Sequence, residues 1–292
     1  MRLPSERVPL GAGLKSVSPA ERSTYLTWLA RAPYAHEQVG WIPTADWIGR
    51  SPSWALVWPG GIPLGLLCVS CDQLGVAWIQ ALASAAQPGP AALWEPLWAA
   101  AHAQLKSMAV GKVWAMADQP WFRKLLQENG FAPASQVVTL FADRLVRRAP
   151  QAQLPGLILR TFRPQDLAAV CQLDNRAFVA PWQMDMEALA ATLRNSPQAS
   201  VAEIGEQIVG YELTTETLQG WHLARLAVNP DYQRCGIGQA LVVDLLELKQ
   251  RRKVAALTVN TQAENAASLQ LYRSLGFAPS GEAIPVYSTS LD

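Results

Sequence analysis

LARLAVNPDYQRCGIG, Leu223–Gly238, joins an apolar run to a glycine pair within sixteen residues. An apolar run ends at Val228, the chain turns through Asn229 and Pro230, and a glycine-containing hexapeptide, Gln233–Gly238, leads into the apolar-periodic segment Gln239–Leu248. That order reads as strand, turn, helix. Glycine at Gly236 and Gly238 removes the Cβ atoms that would hold a ligand off the first helical turn, whose unpaired N–H groups and positive dipole end receive phosphate. Glycines so placed also serve ordinary tight turns, so an anion cradle needs a second signal.

The second signal is ENAASLQLYRSLGF, Glu264–Phe277. Asn265 and Tyr272 stand two helical turns apart and face the same way, with Leu269 close to that line, and Gly276 stops the helix. With LAVNPDYQRCGIG, the buried-looking strand Val254–Val259 and NAASLQLYRSLGF in this order and at this spacing, the chain resembles the GNAT superfamily of acyl-CoA N-acyltransferases. The resemblance covers roughly Leu157–Asp292, and the two linked motifs are far more specific together than either alone.

The earlier part of the chain repeats the plan. Strands are expected at Arg7–Leu14, Ser53–Trp58, Ile62–Ser70, Gly75–Ala83, Lys112–Ala117 and Gln136–Leu145, and helices at Ser18–Ala30, Thr44–Arg50, Ala91–Met108 and Pro120–Glu128. WFRKLLQENGF, ending at Phe131, aligns with SLQLYRSLGF, ending at Phe277, and GKVWAMA at Gly111–Ala117 aligns with RKVAALT at Arg252–Thr258. The offsets, 146 and 141 residues, fit a duplicated unit with small insertions. The resemblance thus implies an α/β (α+β) chain of two tandem GNAT-like domains, 1–150 and 151–292. Each is a mixed, mostly antiparallel sheet flanked by helices, and the second has a splayed pair of central strands.

The copies differ at the chemistry. Where the second has QRCGIG the first has AAQPGPAA, in which Pro88 and Pro90 have no N–H to offer, and Leu125 or a neighbour replaces the helix tyrosine. The first is therefore expected to be degenerate, not binding acyl-CoA in the usual way. It holds ten of the twelve tryptophans, read as packing ahead of an aromatic substrate pocket.

Composition narrows the alternatives. In 292 residues, 24 Lys and Arg stand against 23 Asp and Glu, a net charge of +1 that gives no electrostatic case for nucleic acid or an anionic membrane surface. Residues 1–150 hold 13 basic against 9 acidic groups and the remainder 11 against 14, a mild asymmetry. The N-terminal MRLPSERVPLGAG lacks the apolar core of a signal peptide and no apolar stretch is of spanning length, so a cytoplasmic protein is expected. Cys68 and Cys71 form a lone CxxC whose odd spacing points them to opposite faces of a strand, and all four cysteines read as free thiols with no metal site.

In the second copy a linker is expected at Arg147–Pro155, a strand from Leu157, helices at Pro164–Phe178 and Asp185–Arg194, a hairpin of Gln198–Ile204 and Gln207–Thr215, and a central strand Gly220–Val228. The resemblance implies acetyl-CoA as co-substrate, with the backbone of Leu226, Ala227 and Val228 along the pantetheine arm, Arg234, Cys235, Gly236, Ile237, Gly238 and Gln239 around the pyrophosphate, and Asn265 touching the cofactor. It makes Tyr272 the general acid, against the alternative of a core tyrosine. The resemblance places His222 where some relatives carry a glutamate base, six residues before the end of the apolar run of the central strand. Simple alternation puts it on one face with Ala224, Leu226 and Val228, and it is either a general base or a strand-end histidine facing solvent. The resemblance also implies that acceptor choice depends on Phe178–Met186, FVAPWQMDM, between the two helices, where Trp182 is either an acceptor contact or a buried anchor.

NRAFVAPW, Asn175–Trp182, further resembles bacterial ribosomal-protein alanine N-acetyltransferases, which carry a glutamate base within the strand Val254–Val259; Thr258 stands there in this chain. The expected activity is acetyl transfer to a primary amine, a protein N-terminus or a small molecule, by direct attack in a ternary complex. The rival is a non-catalytic acyl-CoA-binding module. A Rossmann-like nucleotide site is disfavoured because Arg251–Lys253 occupy the place of its acidic ribose ligand. Oligomeric state is not legible.

Overall fold

A computed structural model of the chain describes residues 8–38, 40, 42–50, 52–142, 154–194 and 196–291. Most of the expected linker Arg147–Pro155, and Arg7 of the expected first strand, lie outside them. The chain divides into two compact units, one of Met1–Ala134 with Pro285–Asp292, the other of Ser135–Ile284. The units do not follow a single cut at Pro150.

The first unit contains β1 (Gly13–Ser16), α1 (Arg22–Leu29), β2 (Tyr34–Glu37), α2 (Thr44–Trp47), β3 (Ser53–Val57), β4 (Pro63–Cys71), β5 (Ala77–Ser84), α3 (Pro90–Ser107), β6 (Lys112–Met116) and α4 (Pro120–Glu128). Ser18 opens the first helical stretch as expected: its hydroxyl donates to Glu21 Oε2 at 2.9 Å, and its N–H meets the same oxygen at 3.1 Å. Prolines start α3 and α4, where a missing N–H removes nothing. In α3, Leu93, Leu97, Ala101 and Leu105 recur every fourth residue and are almost wholly buried, the stripe that seats this helix on the sheet. Trp94 stacks on Trp98 at 5.3 Å within that core, and burial pushes the Cys68 thiol up to about 12.

The second unit begins within β7 (Ala132–Ala142), at Ser135, and continues through β8 (Leu157–Thr161), α5 (Leu167–Ala177), α6 (Met186–Arg194), β9 (Ala199–Ile204), β10 (Gln207–Thr217), β11 (Gly220–Val228), α7 (Ile237–Arg251), β12 (Ala256–Gln262), α8 (Ala266–Ser274) and the first half of β13 (Ala278–Ser290). Its strands run β7-β12-β11-β10-β9-β8, antiparallel except for β11 beside β12. In the first unit the order is β1-β3-β4-β5-β6, again with one parallel pair, β5 and β6. That sheet is closed by Val286–Ser290 of β13, which pair with Met116–Lys112 and bury Tyr287.

Both parallel pairs separate partway along. In the second unit β11 and β12 are bonded from Gly220 and Ala256 to Leu223 and Val259, and no further. Beyond Leu223 the edge of β11 carries no strand among the described residues, which is the expected splay. In the first unit the pairing is shorter still, Ala77 with Val113 and Trp78 with Trp114. There the freed edge of β5 is taken by β2, from Tyr34 beside Ser84 to Glu37 beside Ala81. Gln38 N donates to Gln80 O at 2.8 Å, Gln38 Oε1 accepts from Met116 N, and Gln119 Nε2 donates to Ala35 O. The first unit thus fills its own wedge with its own backbone. Among the described residues no helix of either unit is long and apolar enough to cross a membrane.

Candidate active site

The open wedge of the second unit is built by a bulge. Leu213 and Thr214 on β10 face Arg225 and Leu223 on β11, so Ala224 is an extra residue. This corrects the simple alternation: the bulge moves His222 onto the face shared by Arg225 and Ala227, while Trp221, Leu223, Leu226 and Val228 share the other. The second face packs against α7 and α8; the first lies under α5.

At the mouth of the wedge the loop and helix start as expected. Gly236 caps α7 with φ 83°, a left-handed conformation that favours glycine, and Arg234 beside it also has positive φ. Ala240 N donates to Gly236 O at 2.9 Å. Among the described residues no acceptor claims the N–H groups from Arg234 to Gln239, so they are presented together at the positive end of a fifteen-residue helix. Ile237 is buried and Cys235 exposed. At Gly238 an added Cβ would meet Leu271, Val228 and Leu226 at ordinary contact distances, so its lack of a side chain matters less than the turn at Gly236. Gly210 on β10 is a third requirement: a Cβ there would fall 2.9 Å from Ile237 Cγ2, so it is what lets α7 approach the sheet.

The remaining expected residues are spread around the wedge. Asn265 is the N-cap of α8, its Oδ1 accepting from Ser268 N at 3.1 Å. Tyr272 is 4 % exposed, packed with Leu223, Val259 and Phe277, and its hydroxyl has no hydrogen-bond partner among the described residues. Burial holds its phenol above the usual range, so it stays protonated. On the opposite face His222 Nδ1 lies 2.8 Å from Thr258 Oγ1, and burial lowers its pKa to about 4, leaving it neutral at physiological pH. Histidine and tyrosine are thus not a contacting pair; they flank the start of the splay from its two sides.

Glu212 carries no signal in the sequence pattern. It lies in the apolar strand beneath α7, 1 % exposed, with no partner for Oε2 among the described residues, and burial pushes its carboxyl from about 4.5 up to about 8. Asp244 on α7 adds to the rise, while Ser200 and Gln198 oppose it. The folded chain therefore binds this proton more tightly than the unfolded chain. Its stability is full below the unfolded value and declines as pH rises toward 8, by on the order of a few kcal/mol. Glu212→Gln is expected to flatten the decline in Tm between pH 5 and 8, measured by calorimetry in matched buffers.

The sequence pattern of the Acetyltransferase (GNAT) family matches residues 167–277. The [ribosomal protein bS18]-alanine N-acetyltransferase of Escherichia coli strain K12 is 32% identical over 123 residues, covering 38% of this chain and 74% of that protein. The chain belongs to the GNAT acetyltransferase family. The mycothiol acetyltransferase of Saccharomonospora viridis is 29% identical over 187 residues, 57% of this GNAT chain and 60% of that protein. A solved structure described as a tandem GNAT protein from the clavulanic acid biosynthesis pathway covers 96% of this chain and 99% of its own, with TM-score 0.62 and 15% identity, and shows the same fold. As a GNAT N-acetyltransferase the protein is an enzyme that uses acetyl-CoA and transfers an acyl group to an amine. Its second unit fits that co-substrate on three counts: a free strand edge, a set of unclaimed N–H groups, and a left-handed glycine, Gly236, within that set.

Proposed function

We propose that the second unit acetylates a primary amine, a protein α-amino group or a small-molecule amine, by direct attack in a ternary complex. The observation that carries the reading is the open edge of β11 leading to the unclaimed N–H groups of Arg234–Gln239. Bound acetyl-CoA would supply the activated acyl thioester. The backbone of Leu226, Ala227 and Val228 would align its arm, the loop from Arg234 to Gln239 would neutralise its pyrophosphate, and Asn265 would contact it from the start of α8. Tyr272 would give a proton to the departing sulfur. His222, neutral and held at Nδ1 by Thr258, would accept one from the amine directly or through water. Thr258 stands where the resemblance expects a glutamate base, so its bond to His222 supports moving that task to the histidine. The relative named for acetylating an alanine of bS18 makes an alanine-initiated peptide the first acceptor to try.

Calorimetric titration with acetyl-CoA should find one site per chain, because the equivalent wedge of the first unit already holds β2. Gly236→Val should weaken that site about tenfold or more, since a β-branched residue resists the left-handed turn at a cost of about 1–2 kcal/mol and obstructs the approach to the N–H groups. Two sites would show that the first unit also binds. Initial rates with acetyl-CoA and the peptide should intersect in double-reciprocal form; parallel lines would indicate an acyl-enzyme and refute direct attack.

A further inference from the structure

We infer that Arg225 is a positioning residue for the acceptor: with Asp174 it fixes the segment Phe178–Met186 over one face of β11 beside the wedge, and so sets which amines reach the thioester. The inference rests on the proposed function for the meaning of "acceptor" and on geometry for the rest.

Arg225 is the first residue after the bulge, on the part of β11 that has left β12. Its side chain enters the face under α5 and makes a two-pronged contact with Asp174, Nε to Oδ1 and Nη2 to Oδ2, each at 2.7 Å. Asp174 is wholly buried and Arg225 is 9 % exposed. Tyr211 Oη also donates to Oδ1, at 2.5 Å, and Met184 N donates to Oδ2 at 3.2 Å. The same Nη2 donates to Trp182 O at 2.5 Å, and the Phe178 ring covers the guanidinium, 3.7 Å from Cζ to the ring centre.

Three points of one segment, Phe178, Trp182 and Met184, therefore converge on a single buried ion pair. The pair in turn belongs to the strand that borders the wedge. Between these anchors Val179 is 74 % exposed, and Met186 at the far end is 49 % exposed, so the segment is tied inward by backbone and shows apolar side chains outward. A lysine cannot reproduce this arrangement. It keeps the charge but has no planar fork for Asp174 and no second donor directed at Trp182 O. The sequence motif of this segment contains nothing that would hold it in place. The means is an arginine at the bulge.

The test compares wild type with Arg225→Lys and Phe178→Ala, the second removing only the ring over the guanidinium and sparing the buried pair. For each, acetyl-CoA affinity is measured by calorimetry, amide hydrogen exchange is followed by mass spectrometry, and kcat and KM are determined for the alanine-initiated peptide. Faster exchange confined to Phe178–Met186 is expected, with acetyl-CoA Kd and kcat within about threefold and KM for the peptide raised about tenfold in Arg225→Lys and less in Phe178→Ala. Unchanged exchange in the segment would overturn the inference. So would a loss spread equally over acetyl-CoA affinity, kcat and KM, which marks a merely structural pair. If Arg225→Lys does not fold, Phe178→Ala decides alone by the same criteria. A wild type inactive on the peptide would sink that choice of acceptor; the inference then stands or falls on the exchange of Phe178–Met186 with acetyl-CoA affinity retained.

Discussion

Cut at residue 151, the chain is expected to give no folded protein that binds acetyl-CoA. Such a fragment lacks Val137–Ala142, whose register with Gln262–Leu257 covers the outer edge of β12. It also loses Leu140 and Ala142, nearly fully buried in the core that contains Trp221, Leu257 and Tyr272, and the side-chain bond between Thr139 and Asn260 at 2.9 Å. Removing one buried leucine side chain costs about 2–5 kcal/mol, against a net stability of about 5–15 kcal/mol for a whole domain. A bare apolar edge on β12 adds a template for aggregation. Gel filtration, circular dichroism and an acetyl-CoA titration on 151–292 beside the full chain would check this. A monomeric, folded fragment with full-chain affinity would show that β7 is dispensable.

Tyr272→Phe is expected to lower kcat about a hundredfold while leaving acetyl-CoA affinity within about threefold. The ring sits in the core 5.4 Å from Phe277, and phenylalanine fills that space without the hydroxyl. Packing and the cofactor loop should survive, so the loss would report the proton alone. The pH dependence gives a second reading. With His222 near 4, no acid limb from this group is expected in kcat between pH 5 and 8, and any rise there belongs to deprotonation of the amine itself. A Tyr272→Phe enzyme with undiminished kcat would remove the tyrosine from the chemistry and leave it as a core residue.

The local signals in the sequence were good guides where the structure is local. Gly236 marks a left-handed cap, Pro120 a helix start, and Gly220–Val228 coincides with a strand to the residue. What escaped is set by pairing between distant segments. Nothing in Tyr34–Glu37 announces that it will pair with β5, and nothing in Val286–Ser290 announces β6 as its neighbour; both follow from which edges the rest of the sheet leaves open. Ala224 is an unremarkable residue in an apolar run, yet as a bulge it turns every later side chain of β11 over, which is why alternation misplaced His222. Glu212 is one polar residue in an apolar strand, and it is burial, with no partner for Oε2 among the described residues, that raises its pKa.

β2 in the wedge of the first unit can also be described as a ligand on a tether. A covalently attached occupant acts at an effective concentration in the millimolar range or above. An acyl-CoA entering that wedge must outcompete the strand, and its apparent affinity falls by the ratio of that effective concentration to the strand's own dissociation constant, about a thousandfold for a strand of about micromolar intrinsic affinity. The first unit would thereby be closed to the cofactor by local concentration, whatever residues line it, as the expected single acetyl-CoA site requires.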